Sequence, residues 1–201
     1  TRRPCYTNTI INNTLSELAP FSKQFTAAAV LKLCSEEKIS LTDTLGKFFP
    51  ELPYGEITIR QLLNHTAGLP EYFNFDYEVY DTSTFVTNEQ LIRVLAQSKP
   101  KRMFLSGLGY KYCNTNYAVL AAIVAQVAGM PFEQYVRDYL WKPAGMKNTY
   151  FFTELVGLYP GNVQPEFHVR KGQDYVNVKP IENITSRPLT RGHWRDGRLA
   201  I

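Results

Sequence analysis

The sequence predicts an α+β chain in which helices predominate, and three observations carry that expectation. Phe25, Ala28, Ala29, Leu31 and Cys34 recur at helical spacing and form one Ala-rich face. A long apolar run from Thr115 to Ala128 ends at Gly129, the residue type that most easily closes a helix in the left-handed conformation. Late in the chain, residues 166–179 alternate around Lys171-Gly172, which reads as a β-hairpin.

The elements follow in order. Residues 1–15 are polar and rich in Asn and Thr, without a period. Pro20 opens the first helix, because its missing N–H has no partner in a first turn anyway. Glu36, Glu37 and Lys38 end that helix. Residues 39–50 read as a tight turn, a short helix near Asp43 and a proline stop at Pro50. Thr58 caps a helix over Ile59 to Asn64, and the Gly and Pro of Thr66-Ala-Gly-Leu-Pro70 break it. Residues 71–87 are aromatic and acidic, without a clean period, and read as a surface loop or lid. Asn88 caps a helix to about Ser98. Residues 99–114 are a connection rich in Gly, Lys and Tyr, and the helix over Thr115 to Ala128 follows. Pro131 starts a last helix to about Trp141, stopped by Pro143 and Gly145. After Pro180 no element is legible. The division expected is therefore a helical unit over residues 1–150 and an irregular extension over 151–201 that carries the hairpin.

Composition narrows the function. With 201 residues, 44% hydrophobic and 20% charged, the chain can bury a core. The net charge of +4 is dispersed, with Arg187, Arg191, Arg195 and Arg198 in a Gly-containing tail, so no nucleic-acid partner is expected. Cys5, Cys34 and Cys113 are odd in number and include no CxxC pair, which argues against a disulfide framework and a zinc site. No Asp/His/Glu cluster has ligand spacing, so neither metal nor cofactor is expected. The run from Tyr117 to Val127 contains Gln126 and falls short of the roughly 18 apolar residues of a membrane span. No secretory leader is legible.

Four segments, read together, carry a resemblance. Phe21-Ser-Lys-Gln-Phe-Thr-Ala-Ala-Ala-Val30 looks like a helix bearing an S-x-x-K motif. Ile57 to Pro70 contains Leu62-Leu-Asn-His-Thr-Ala-Gly-Leu-Pro70, similar to an L-L-x-H-T-S-G-L-P segment. Tyr112-Cys-Asn114 is similar to a Y-x-N element. Lys142-Pro-Ala-Gly-Met-Lys-Asn-Thr149 is close to a P-L-G-M-x-x-T turn. In this order and spacing, over about residues 12–150, the chain resembles the serine β-lactamase and penicillin-binding-protein family, which includes class C β-lactamases, D-Ala-D-Ala carboxypeptidases and related esterases. The resemblance implies a β-lactamase/transpeptidase-like fold, represented here mainly by its helical region. It also implies acyl transfer on an amide or ester, with a small-molecule or peptide substrate.

The motif has a chemical reason. A serine hydroxyl is a weak nucleophile and needs an adjacent base. Serine and lysine three apart share one helix face, and the helix start favours negative charge. A tyrosine or lysine crowded by positive charge can then shuttle the proton. By this resemblance Lys23 is the motif lysine, Tyr112 the proton-transfer tyrosine and Asn114 a substrate- or lysine-contacting residue. Each also has a plainer reading: a capped-helix lysine, a packing aromatic and the N-cap of the next helix. His65 reads more readily as structural than catalytic. Gly68 and Pro70 set a turn. His168 and His193 read as surface residues.

The chain departs from the pattern in two places. Three residues before Lys23 stands Pro20, which has no nucleophile. Ser22 is adjacent to Lys23, about 100° around a helix, and Ser16 lies before it, so neither is a ready substitute. After Thr149 nothing matches the family's late K-T-G or H-x-G strand. His193-Trp-Arg-Asp-Gly197 comes nearest, with the wrong His-to-Gly spacing. Most of the family's central sheet is therefore expected to be missing. Two readings stay open: an impaired or inactive member of a hydrolase family, or a non-catalytic binding module, completed by a partner chain or by self-association. The resemblance implies a bacterial periplasmic or envelope location.

Overall fold

In the computed structural model, residues 18–75, 87–151, 167–171 and 174–178 are described. Helix α1 spans Lys23–Ser35, α2 Leu45–Phe48, α3 Ile59–Leu63, α4 Asn88–Ser98, α5 Asn114–Ala128 and α6 Phe132–Val136. A π-helical turn over Arg137–Trp141 continues α6. Strands β1 (Phe167–Lys171) and β2 (Asp174–Val178) form an antiparallel pair, the one sheet among the described residues. The register sets Lys171 opposite Asp174, and residues 172–173 between them lie outside the described residues.

Helix α5 is the hub. Eleven of its residues, Asn114 to Val124, are buried, and it packs against α1, α3, α4 and α6. A helix apolar on all sides finds partners on all sides, which is why this segment carries almost no amphipathic pattern. Around it close Ala29, Val30 and Leu33 of α1, Ile59 and Leu62 of α3, and Leu91 and Leu95 of α4, with Trp141 and Phe151 stacked nearby. Helix α4 is the contrasting case, with Leu91, Ile92, Val94 and Leu95 buried on one side and Glu89 and Arg93 turned outward.

Several boundaries differ from the sequence expectation. Pro20 does not open the α-helix. It sits in a 3₁₀ turn over Ala19–Ser22, tied by the Phe21 amide to the Leu18 carbonyl at 3.0 Å, and α-helical bonding begins at Lys23. No side chain caps either start, and a tight i→i+3 turn satisfies the first amides instead. Thr87, not Asn88, caps α4, since its hydroxyl accepts from the Gln90 amide and Asn88 is buried as the first helical residue. Cys113, not Asn114, occupies the cap position of α5. The Thr58 cap holds and is completed by Gln61, whose side chain accepts from the Thr58 amide at 2.9 Å. Gly129 closes α5 with φ +66°. Cys34 is half-buried. Of the expected lid, Tyr72–Asn74 forms a 3₁₀ turn and residues 76–86 lie outside the described residues, as do Cys5, Ser16, His193 and the arginine-containing tail.

Candidate functional site

Two segments remote in sequence meet beside the start of α1. The turn after α3 runs through His65 with φ +59° and Gly68 with φ +74°. Residues 103–111 lie along it, the Met103 amide donating to the Gly68 carbonyl, Gly107 to Thr66 and Lys111 to His65, at 2.8–3.0 Å. A Cβ at Gly68 would lie 2.1 Å from the Phe104 carbonyl oxygen, so glycine is required by contact as well as by φ. Thr115 fastens the next stretch. Its hydroxyl donates to the Pro70 carbonyl at 2.7 Å and accepts from the Tyr72 amide at 2.9 Å. The Cys113 thiol meets the Leu69 carbonyl at 3.3 Å.

This clamp delivers Tyr112 and Asn114 to Lys23. The Lys23 ammonium donates to Asn114 Oδ1 at 2.7 Å, across 91 residues of sequence. It lies 4.9 Å from the Tyr112 ring centroid and 5.6 Å from that of Tyr117. All three residues singled out from the sequence are thus brought together. Pro20 is exposed one turn before Lys23 and offers the group no hydroxyl. Ser22 is buried, at 2% exposure.

Glu71 is the member of this cluster that the sequence reading missed. One of its carboxylate oxygens accepts from the Asn114 backbone amide at 2.8 Å and from Asn114 Nδ2 at 3.2 Å. Those bonds fix which way the amide faces and turn Oδ1 toward Lys23. They also give Asn114 its role in place of the expected cap. The available signal was an acid directly after the Gly-Leu-Pro turn, but its partner lies 43 residues away.

Burial dominates the electrostatics. It lowers the Lys23 pKa to about 8, against the opposing pull of Glu71. Burial, then the Glu71 carboxylate, raises the Tyr112 phenol, so it stays protonated at neutral pH. The Cys113 thiol is pushed up to about 12, chiefly by burial, and is inert. His65 is lowered by burial and by Lys23. Its Nδ1 accepts from the Cys113 amide at 3.2 Å and faces Asn116 Nδ2 at 3.4 Å, which assigns the proton to Nε2. His65 therefore supports the Tyr112–Asn114 turn, as its structural reading expected. Among the described residues no group of His, Cys, Asp and Glu is placed to hold a metal ion.

Residues 6–160 match the sequence pattern of the beta-lactamase family. The chain belongs to that family. It is 34% identical over 137 residues to penicillin-binding protein 4* of Bacillus subtilis, covering 68% of this chain and 30% of that protein. It is 33% identical over 146 residues to the putative penicillin-binding protein PbpX of the same organism, covering 71% and 35%. The chain thus spans about a third of the length of the curated relatives it matches. Among solved structures it is similar to the D-amino acid amidase of Ochrobactrum anthropi, with TM-score 0.59 and 26% identity over 69% of this chain and 38% of that one. The octameric penicillin-binding protein homologue of Pyrococcus abyssi matches with TM-score 0.59 and 27% identity, over 84% and 40%. The beta-lactamase/transpeptidase-like fold is thereby supported for this chain.

Proposed function

We propose that this chain is a β-lactamase-related serine hydrolase family member whose polar site is assembled but whose acyl transfer is impaired or abolished. The observation that carries this is the pairing of an intact Lys23–Asn114 contact with a proline three residues before Lys23. Lys23, Tyr112 and Asn114 are the residues we assign to the site, with Glu71 and His65 positioning them. In a family member carrying serine at position 20, the amine of Lys23 and the phenol of Tyr112 would be the groups to take its proton. Here there is nothing for them to activate. We treat residues 1–150 as the working unit and 151–201 as an extension. The bacterial penicillin-binding and carboxypeptidase relatives support an envelope location.

A second reading is a non-catalytic module covered by a partner chain or a second copy. It is favoured by the large apolar side chains left open: Phe21 is 75% exposed, Leu108 77%, Tyr110 71% and Leu105 60%.

Intact mass after incubation with a β-lactam and, separately, a fluorophosphonate tests the first reading, on the parent and on Pro20→Ser. No adduct on the parent and an adduct on the variant is the expected result. An adduct on the parent would overturn the inactive reading. No adduct on either would favour the module.

A further inference from the structure

Residues 99–112 join α4 to α5 and carry four Lys or Arg and no Asp or Glu. Their inner edge is used up by the turn after α3, which accepts from the amides of Met103, Gly107 and Lys111, while the Phe104 ring lies against Gly68 and Gly109. The outer edge is apolar. Leu105 and Leu108 flank a tight turn, closed by the Leu108 amide donating to the Leu105 carbonyl at 3.0 Å, with Gly107 at φ +83° as its third residue. Such a turn keeps its first and last Cα atoms within about 7 Å, so the two leucines stand as a pair. With Tyr110 and Tyr112 they make up four of the eight large apolar or aromatic side chains left open among the described residues. Open apolar surface is thus concentrated on one segment rather than scattered singly. Lys99, Lys101 and Lys111 are exposed on the same segment and form no ion pair among the described residues, whereas Arg102 is paired with Glu56.

We propose that residues 99–112 dock this chain peripherally on an anionic lipid surface, with Leu105, Leu108 and Tyr110 entering the headgroup boundary and Lys99, Lys101 and Lys111 meeting the lipid phosphates. Apolar side chains flanked by uncompensated cations match a bilayer, whose interior is apolar and whose headgroup layer is negative. Tyrosine suits that boundary, with its ring on the apolar side and its hydroxyl on the wet side. Three amides already hold the backbone of the segment, so little ordering remains to oppose binding. Two other occupants fit less well. A second copy meeting this segment about a twofold axis would bring like-charged lysines together, with no acid in the segment to answer them. A nucleic acid would answer the lysines and leave the leucine pair unused. This inference goes beyond the functional reading above, because it concerns where the chain is held and not what position 20 can do.

The test sediments the full chain with vesicles of phosphatidylglycerol and phosphatidylcholine in equal parts and, separately, of phosphatidylcholine alone. At low salt the anionic vesicles should be bound at least about tenfold more tightly, and that lead should vanish near 1 M salt, where charges are screened within about 3 Å. Lys99→Gln/Lys101→Gln/Lys111→Gln should bind the anionic vesicles at least about tenfold more weakly, since each lysine near such a surface contributes on the order of fivefold. Leu105→Ser/Leu108→Ser should weaken binding at least about fivefold while keeping the urea midpoint of the parent. In Leu108→Trp, the added fluorescence should shift to the blue when anionic vesicles are present. No binding to the anionic vesicles, equal affinity for both lipids, or undiminished binding by either multiple variant overturns the proposal. So does a lipid-free dimer of the parent that the leucine variant dissociates, because the patch would then belong to a second copy.

Discussion

At the scale of single residues, the site is a buried cation held against its own tendency to lose charge. Because the folded pKa of Lys23 is about 8, below the ordinary lysine value, the unfolded chain binds more protons between pH 8 and about 10.4. Stability therefore rises with pH across that window, and the full cost of the buried ammonium is felt below pH 8. We expect denaturant midpoints of the parent to gain on those of Lys23→Met by about 2 kcal/mol between pH 7 and 10. A parallel pH dependence of the two proteins would show that Lys23 is not desolvated. Glu71 acts in the other direction. Glu71→Ala leaves two Asn114 donors without their acceptor and should cost about 1–3 kcal/mol. It should also lower the Lys23 pKa, followed by NMR titration of that side chain, since the carboxylate holds the pKa up. A titration that stays in place would remove Glu71 from the site.

Elements act by fixing where these residues arrive. The left-handed turn at His65 and Gly68 leaves room for residues 103–111 to lie alongside, and that pairing leads directly into Tyr112 and Asn114. Gly68→Ala adds a methyl 2.1 Å from the Phe104 oxygen at a φ of +74°. A loss of about 3 kcal/mol or more is expected from unfolding in urea, since strain and overlap combine. A loss below about 1 kcal/mol would mean that the 103–111 segment moves aside freely. The capping box of α3 is a smaller term. Thr58→Ala should cost about 1 kcal/mol in urea unfolding and leave the Lys23 titration unchanged, because the cap lies at the far end of α3 from the turn.

For the whole molecule, the question is what covers the large apolar side chains that stay open. Phe21, Leu105, Leu108 and Tyr110 are exposed, unlike the core around α5, where side chains of the same types are fully enclosed. A Leu105→Ser/Leu108→Ser double variant should keep its stability within about 0.5 kcal/mol, as exposed positions do, and should bind the dye ANS more weakly. Equal dye binding by parent and variant would place the accessible apolar surface elsewhere.

Much of this was legible in the sequence, for a definable reason. Helix stops such as Gly129, the cap at Thr58, the left-handed Gly68 and the paired strands 167–171 and 174–178 depend on residues a few positions apart, so local chemistry determines them. The spacing of four segments identified the family, and the resemblance pointed to Lys23, Tyr112 and Asn114, which the fold brings together. The absence of a hydroxyl at position 20 is likewise a fact of sequence alone. Tertiary structure decided the rest. The caps of α4 and α5 moved by one residue, because Asn88 and Asn114 are buried and Asn114 is drawn to Lys23 and Glu71 instead. The place of Glu71, the tautomer of His65 and the lowered Lys23 pKa exist only once residues 65–71 and 112–115 fold against the start of α1. Desolvation and long-range hydrogen bonds are properties of what surrounds a group, and a linear sequence does not state its surroundings.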